Sequence, residues 1–163
     1  MKSNSPLLLV DSLTISSKNK VLLSELSFSI FPNEIVAIVG ESGSGKSLTA
    51  LSIAGLLSDS KLKVESKKLQ LGENDLSKLS QKDWESTRGK NIGMVFQEPQ
   101  SSLNPSMRCG IQVMERLQKF EKGDKKTNFA KVLSAFNKVQ LPNPERVFKA
   151  YPHELSGGQK QRV

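Results

Sequence analysis

The chain has one cysteine, one histidine, one tryptophan and one tyrosine in 163 residues. A single thiol, Cys109, makes no internal disulfide. One cysteine and one histidine do not form a thiolate–imidazole metal site either. Cys109 reads as a small packing residue. No apolar run approaches the roughly 18 residues that a membrane span requires. Met1 to Pro6 is polar and has no signal-peptide hydrophobic region, so the chain is expected to stay in the cytosol. Aromatic residues make up only 6% of the chain and form no stacking platform among its lysines. This bears on the formal net charge of +8. The lysines are scattered, and the densest group, Lys119 to Lys126, includes Glu121 and Asp124. The excess reads as a solvated face close to a membrane surface, with no nucleic-acid partner. The length suits one domain with a reasonable core, and no repeat or low-complexity tract interrupts it.

Against that plain background stand two glycine-rich motifs. Gly40 to Ser47 reads GESGSGKS and meets the pattern G-x-x-x-x-G-K-[ST] at Gly40, Gly45, Lys46 and Ser47. The run Ile35 to Val39 before it predicts a buried strand, and Ser47 to Leu57 after it predicts a helix. Strand, loop and helix in that order are the context a phosphate-binding loop requires. Glycines let backbone N–H groups approach phosphate oxygens, and a helix start adds a positive dipole end. The candidate nucleotide contacts are Gly40, Glu41, Ser42, Gly43, Ser44, Gly45, Lys46, Ser47 and Leu48. Lys46 is expected at the β- and γ-phosphates of ATP, where it stabilises transferring charge, and Ser47 on Mg²⁺.

The second motif is LSGGQ, Leu155 to Gln159. It predicts a helix start with Ser156 as cap. Between the motifs, Ile92 to Phe96 predicts a strand broken by Glu98-Pro99, with Gln97 at its end. A glutamine there suits a metal ligand or an orienter of water.

Taken together, these residues resemble the ATP-binding cassette (ABC) family over most of the chain. The resemblance implies an α/β P-loop NTPase with an antiparallel β flank and a helical subdomain. It places residues 1–97 in the flank and nucleotide core, and 98–163 in the helical subdomain with the signature, all within one incomplete domain. It also implies that Gln97 binds Mg²⁺ or water. Ser156, Gly157, Gly158 and Gln159 would meet ATP held by a second cassette. The stretch from Gln97 through Glu98, Pro99, Ser102, Leu103, Asn104 and Pro105, with YPHELSGGQ from Tyr151, is similar to importers of oligopeptides, dipeptides or nickel. The implied partners are a second ATP-binding subunit, two transmembrane permease subunits contacted by the segment after Gln97, and indirectly an extracytoplasmic substrate-binding protein. The implied location is the cytoplasmic face of the membrane. A soluble ABC-type ATPase acting on ribosomes or DNA, and a non-enzymatic nucleotide-binding fragment, are the alternatives.

Three departures accompany the resemblance. An aromatic residue that would stack on adenine is replaced by the region Ile15, Ser16, Ser17, where Ile15 would offer apolar contact only. Val64 to Leu71 has no glycine before its strand. The family's acidic strand, catalytic glutamate and switch histidine would follow the signature helix, beyond Val163, so the chain reads as an N-terminal part that is inactive alone. His153, which precedes the signature, reads as structural.

The remaining elements follow from periodicity. Leu7 to Val10 with Leu13 to Ile15, then Val21 to Ile30, predict a hairpin turning at Lys18-Asn19-Lys20, and Lys68 to Leu71 a short strand. Gln81 to Arg88 predicts a helix. Ile111, Met114 and Leu117 mark one helix face, and Phe129, Val132, Leu133, Phe136 and Val139 another. Pro142 and Pro144 separate the latter from a short helix at Glu145 to Lys149.

Overall fold

In the computed structural model, residues 5–57, 61–96, 102–121 and 123–163 are described. The chain forms two compact units, Met1–Arg88 and Gly89–Val163.

The first unit is built on an antiparallel sheet. Strand β1 (Leu8–Ser17) lies at its centre. It pairs with β2 (Lys20–Ile30) on one side, and with β3 (Lys63–Glu65) and β4 (Lys68–Leu71) on the other. The short β5 (Asn74–Asp75) pairs with β4. The apolar positions of β1 explain its shape. Leu8 and Val10 face the core, then Leu13 and Ile15, so the alternation slips by one between the pairs. A strict strand would send the second pair outward. A bulge with Ser12 at φ 52° absorbs the extra residue and keeps all four on one face. Ser27 Oγ accepts the Ser12 N–H at 2.8 Å.

Helix α1 (Lys46–Ile53) packs on this core through Leu48, Leu51 and Ile53. It ends four residues earlier than periodicity predicts. Gly55, at φ 64°, accepts the left-handed turn, and the N–H groups of Gly55 and Leu56 reach back to Ser52 O and Leu51 O at 3.0 and 2.9 Å. This closure satisfies the last carbonyls and stops the helix. Trp84 of α2 (Gln81–Lys90) covers the turn, close enough that a Cβ on Gly55 would lie 2.6 Å from its ring.

The second unit is helical. Helices α3 (Cys109–Phe120), α4 (Lys125–Lys138) and α5 (Pro144–Lys149) enclose Cys109, Met114, Val132, Phe136, Val147 and Phe148, and α6 (Gly157–Arg162) follows. Cys109 is fully buried there as a packing residue. Asp124 caps α4, accepting the Thr127 N–H at 2.6 Å, and that bond holds its carboxyl below the ordinary value. At the α3–α5 contact Gly110 is indispensable as glycine, since a Cβ there would sit 2.1 Å from the Phe148 ring.

Two expectations fail. Ile35–Val39 and Ile92–Phe96 are neither strands nor buried: Ile35 is 98% exposed, Val39 88% and Val95 85%. β-branched runs favour extended backbone, but a strand exists only where a neighbour takes up its N–H and C=O groups. Among the described residues neither run has such a neighbour.

Candidate nucleotide-binding site

The phosphate loop belongs to the first unit and is organised by its lysine. Lys46 Nζ donates to the carbonyls of Gly40 and Glu41 at 2.8 and 2.6 Å, and to Ser44 Oγ at 3.4 Å. Ser44 N–H closes the turn onto Glu41 O at 3.2 Å. Among the described residues the ammonium is held by loop oxygens alone, half-buried, at the mouth of α1.

Gly43 and Gly45 take φ values of 83° and 93°, which L-residues with a Cβ adopt only under strain. Gly45 has a second constraint. It is buried against β2, where a Cβ would meet Leu23 Cδ1 at 3.2 Å and the Leu22 carbonyl at 3.6 Å. Its own carbonyl accepts from Thr49 N–H at 2.8 Å and from Thr49 Oγ1 at 3.0 Å. Thr49, fully buried, therefore pins the last glycine of the loop to the helix. Motif reading passed over Leu22, Leu23 and Thr49, because none occupies a position in the glycine-lysine pattern.

The start of α1 has no side-chain cap and no acidic residue in its first turn. Its leading N–H groups are left for an anion, and the dipole favours negative charge there. Nothing lies within 4 Å of a Cβ placed on Gly43, so that part of the loop is open. An open loop, free helix N–H groups and one ammonium fit a polyphosphate. Ser47 is exposed on the first helical turn, where its hydroxyl is free to take a cation ligand position. The side chain of Leu48 joins the apolar cluster, which leaves only its backbone N–H for phosphate. Glu41, Ser42 and Ser44 are exposed around the loop. Ile15 is fully buried in the sheet core and paired with Leu23, so it offers no surface to a base; the expected apolar contact is corrected.

The LSGGQ segment lies in the second unit. Ser156 caps α6: its Oγ accepts the Gln159 N–H at 3.3 Å, and Gln159 Oε1 accepts the Ser156 N–H at 3.0 Å. This reciprocal pair is a capping box. Leu155 is buried beneath it, whereas Ser156, Gly157 and Gly158 are exposed, with open space around Gly158. Just upstream, Glu154 Oε2 accepts the Tyr151 N–H at 2.7 Å, and the exposed His153 stacks on the Tyr151 ring.

Gln97 lies outside the described residues, as do Glu98 and Pro99. The following Leu103-Asn104-Pro105 is described, and it is held by a residue the motif does not mention. Gln112 of α3 accepts the Asn104 N–H at 2.9 Å and donates to the carbonyls of Asn104 and Met107 at 3.0 and 2.9 Å. Among the described residues no helix is long and apolar enough to cross a membrane, and no cluster of metal-ligating side chains occurs.

Residues 23–163 match the model of the ABC transporter family. The chain is 40% identical over 141 residues to the dipeptide transport ATP-binding protein DppD of Escherichia coli (strain K12), covering 86% of this chain and 43% of that protein. It is 42% identical over 138 residues to DppD of Bacillus subtilis (strain 168), covering 85% and 41%. Among solved structures, the dimeric ATP-binding cassette MJ0796, bound to ADP and Pi, superposes with a TM-score of 0.80 at 25% identity, over 95% of this chain and 66% of that one. The chain spans less than half the length of the DppD proteins. The fold is that of a P-loop NTPase, in which an antiparallel sheet and helices frame the phosphate loop. A lysine-centred phosphate loop, a capped LSGGQ turn and a match over residues 23–163 make this chain a member of the ABC transporter family.

Proposed function

We propose that this chain is the nucleotide-binding part of an ABC subunit that couples ATP binding and hydrolysis to peptide import. The observation that carries the reading is the Lys46 ammonium, held at 2.6–2.8 Å by the first two carbonyls of a loop that ends on an uncapped helix start. The peptide cargo is supported by the names of the relatives, two of which are dipeptide transport ATP-binding proteins.

In this reading the backbone N–H groups from Gly43 to Leu48 hold the phosphate chain of ATP. Lys46 exchanges loop carbonyls for β- and γ-phosphate oxygens and stabilises the charge of the transferring group. Ser47 and Gln97 hold Mg²⁺, which neutralises phosphate charge when bound. Ser156, Gly157, Gly158 and Gln159 face the γ-phosphate held by a second ATP-binding subunit, so the hydrolytic site is complete only in a dimer. The dimeric state of MJ0796 supports this arrangement. The other partners are two permease subunits and, through them, an extracytoplasmic substrate-binding protein. The subunit works at the cytoplasmic face of the membrane.

Uptake of a labelled dipeptide tests the reading in cells. Lys46→Ala in the intact subunit is expected to abolish uptake, and unchanged uptake would refute the assignment. The 163 residues alone are expected to hold ATP without turning it over. Glu154, the carboxylate beside the signature, is engaged with the Tyr151 N–H and matches no catalytic position. Steady phosphate release by the purified chain that vanishes in Lys46→Ala would contradict this.

A further inference from the structure

The first unit contains a cavity of about 460 Å³ at the end of α1 opposite the phosphate loop. That volume falls in the range of small-molecule sites. Much of its wall is apolar. Leu57, Leu69 and Leu76 are buried core residues, and Leu62 and the half-buried Trp84 stand beside them. Its polar side chains, among the described residues, are Ser52, Ser66, Ser77 and Glu65. No lysine or arginine is a described wall residue, in a chain whose formal net charge is +8.

These polar groups are acceptors. Ser52 is only 4% exposed, and its Oγ donates its proton to Thr49 O at 2.8 Å. Ser77 Oγ donates to Asp75 Oδ1 at 2.6 Å. The Ser77 hydroxyl, and Lys78 after it, hold the Asp75 carboxyl down to about 2, so it stays ionised and keeps the Ser77 proton turned toward it. A hydroxyl that has donated has only lone pairs left to offer. Glu65 adds a carboxylate. It pairs with Lys63 at 2.8 Å, but the two side chains are 56% and 70% exposed, and such a pair is weak enough to exchange. The same corner already holds a cation of the chain. Arg88 Nη1 donates to Gly55 O at 2.9 Å, and its guanidinium carbon stands 5.5 Å from the centre of the Trp84 ring.

We propose that this cavity binds a small protonated amine with an apolar or aromatic body. The body packs against Leu69, Leu76 and Trp84, and the ammonium donates to Glu65 and the serine oxygens. A donor is what this wall lacks. An anionic ligand would bring acceptors to acceptors and meet no cation in the wall. A neutral apolar ligand of the same shape would cover the Ser52 oxygen with no donor to meet it. The site is separate from the phosphate loop: Lys46 opens α1, and Ser52 lies near its other end.

The chain's one tryptophan is part of the wall, so its fluorescence reads the site directly. The probe is phenethylamine, added to the full chain. Its controls are phenylacetate, an anion of similar shape, and phenethyl alcohol, a neutral one. The amine is expected to change Trp84 emission saturably, with a Kd on the order of 0.1–1 mM that weakens as salt rises. Phenylacetate is expected to leave the emission unchanged, and the alcohol to bind about threefold or more weakly than the amine. Glu65→Gln keeps the shape of an exposed residue and removes its charge. It is expected to weaken the amine about fivefold or more. Ser66→Phe, which fills the cavity and leaves the carboxylate in place, is expected to abolish the emission change. Lys46→Ala should leave amine binding as it is, which separates this inference from the nucleotide reading. No saturable change with the amine, an equal response to phenylacetate, or an affinity unaffected by Glu65→Gln overturns the proposal. So does amine binding that is lost in Lys46→Ala, which would place the amine at the phosphate loop.

Discussion

Replacing Lys46 with alanine is expected to weaken Mg-ATP binding roughly 10- to 100-fold. The estimate comes from charge-assisted hydrogen bonds to phosphate, worth about 1.5–3 kcal/mol in total at a partly exposed site. The substitution removes the ammonium that the loop holds against its own carbonyls. The loop itself should survive. Its backbone is set by Gly43 and Gly45 in left-handed conformations, by the Thr49 bonds to the Gly45 carbonyl, and by the Ser44–Glu41 turn. The carbonyls of Gly40 and Glu41 lie in exposed residues, so water takes the place of the ammonium. Lost affinity with unchanged unfolding is therefore the expected pattern. Calorimetry that finds equal ATP affinity in both forms would remove Lys46 from the phosphate site.

The second large effect is expected at the signature. In the intact subunit, Gly157→Asp should leave ATP binding by the isolated subunit within about twofold and abolish turnover of the assembled transporter. Gly157 is the first residue of α6, after the Ser156 cap. An aspartate there suits the helix dipole, by a few tenths of a kcal/mol, so the turn is not expected to unfold. What changes is the approach of a phosphate from the other cassette. A side chain would stand where the bare backbone is exposed, and its carboxylate would repel the γ-phosphate across the interface. The measurements are ATP affinity of the subunit alone and phosphate release by the assembly. Loss of affinity in the lone subunit, or full turnover in the assembly, would show that these residues do not act across a dimer.

Much of the molecule was legible in its residues. The hairpin of β1 and β2, strand β4, helices α2 to α5 and the capped start of α6 all lie where alternation, periodicity and capping residues put them. These are local signals, and each is read within a few residues of its cause. Even the β1 bulge is visible as a slip between Val10 and Leu13. The end of α1 was also available: Gly55 is a glycine at the close of an apolar helical run, and its left-handed turn stops the helix before Leu57.

What the sequence determined by itself is the chemistry on offer: glycines where the loop needs them, one lysine, a serine that starts the signature helix, and a family. These are properties of short segments, fixed by steric limits on φ and by the donors and acceptors each residue carries. The tertiary structure alone decided which atoms the chemistry rests on. Leu22 and Leu23 back Gly45, Thr49 holds its carbonyl, and Gln112 clamps Asn104, all through contacts between segments that have no pattern in common. It also decided that Ile15 is core rather than a base contact, and that Ile35–Val39 and Gly93–Phe96 stand exposed. A β-branched run can state a preference for extended backbone. Whether it becomes a buried strand depends on a neighbour that satisfies its N–H and C=O groups, and that neighbour is never encoded in the run itself.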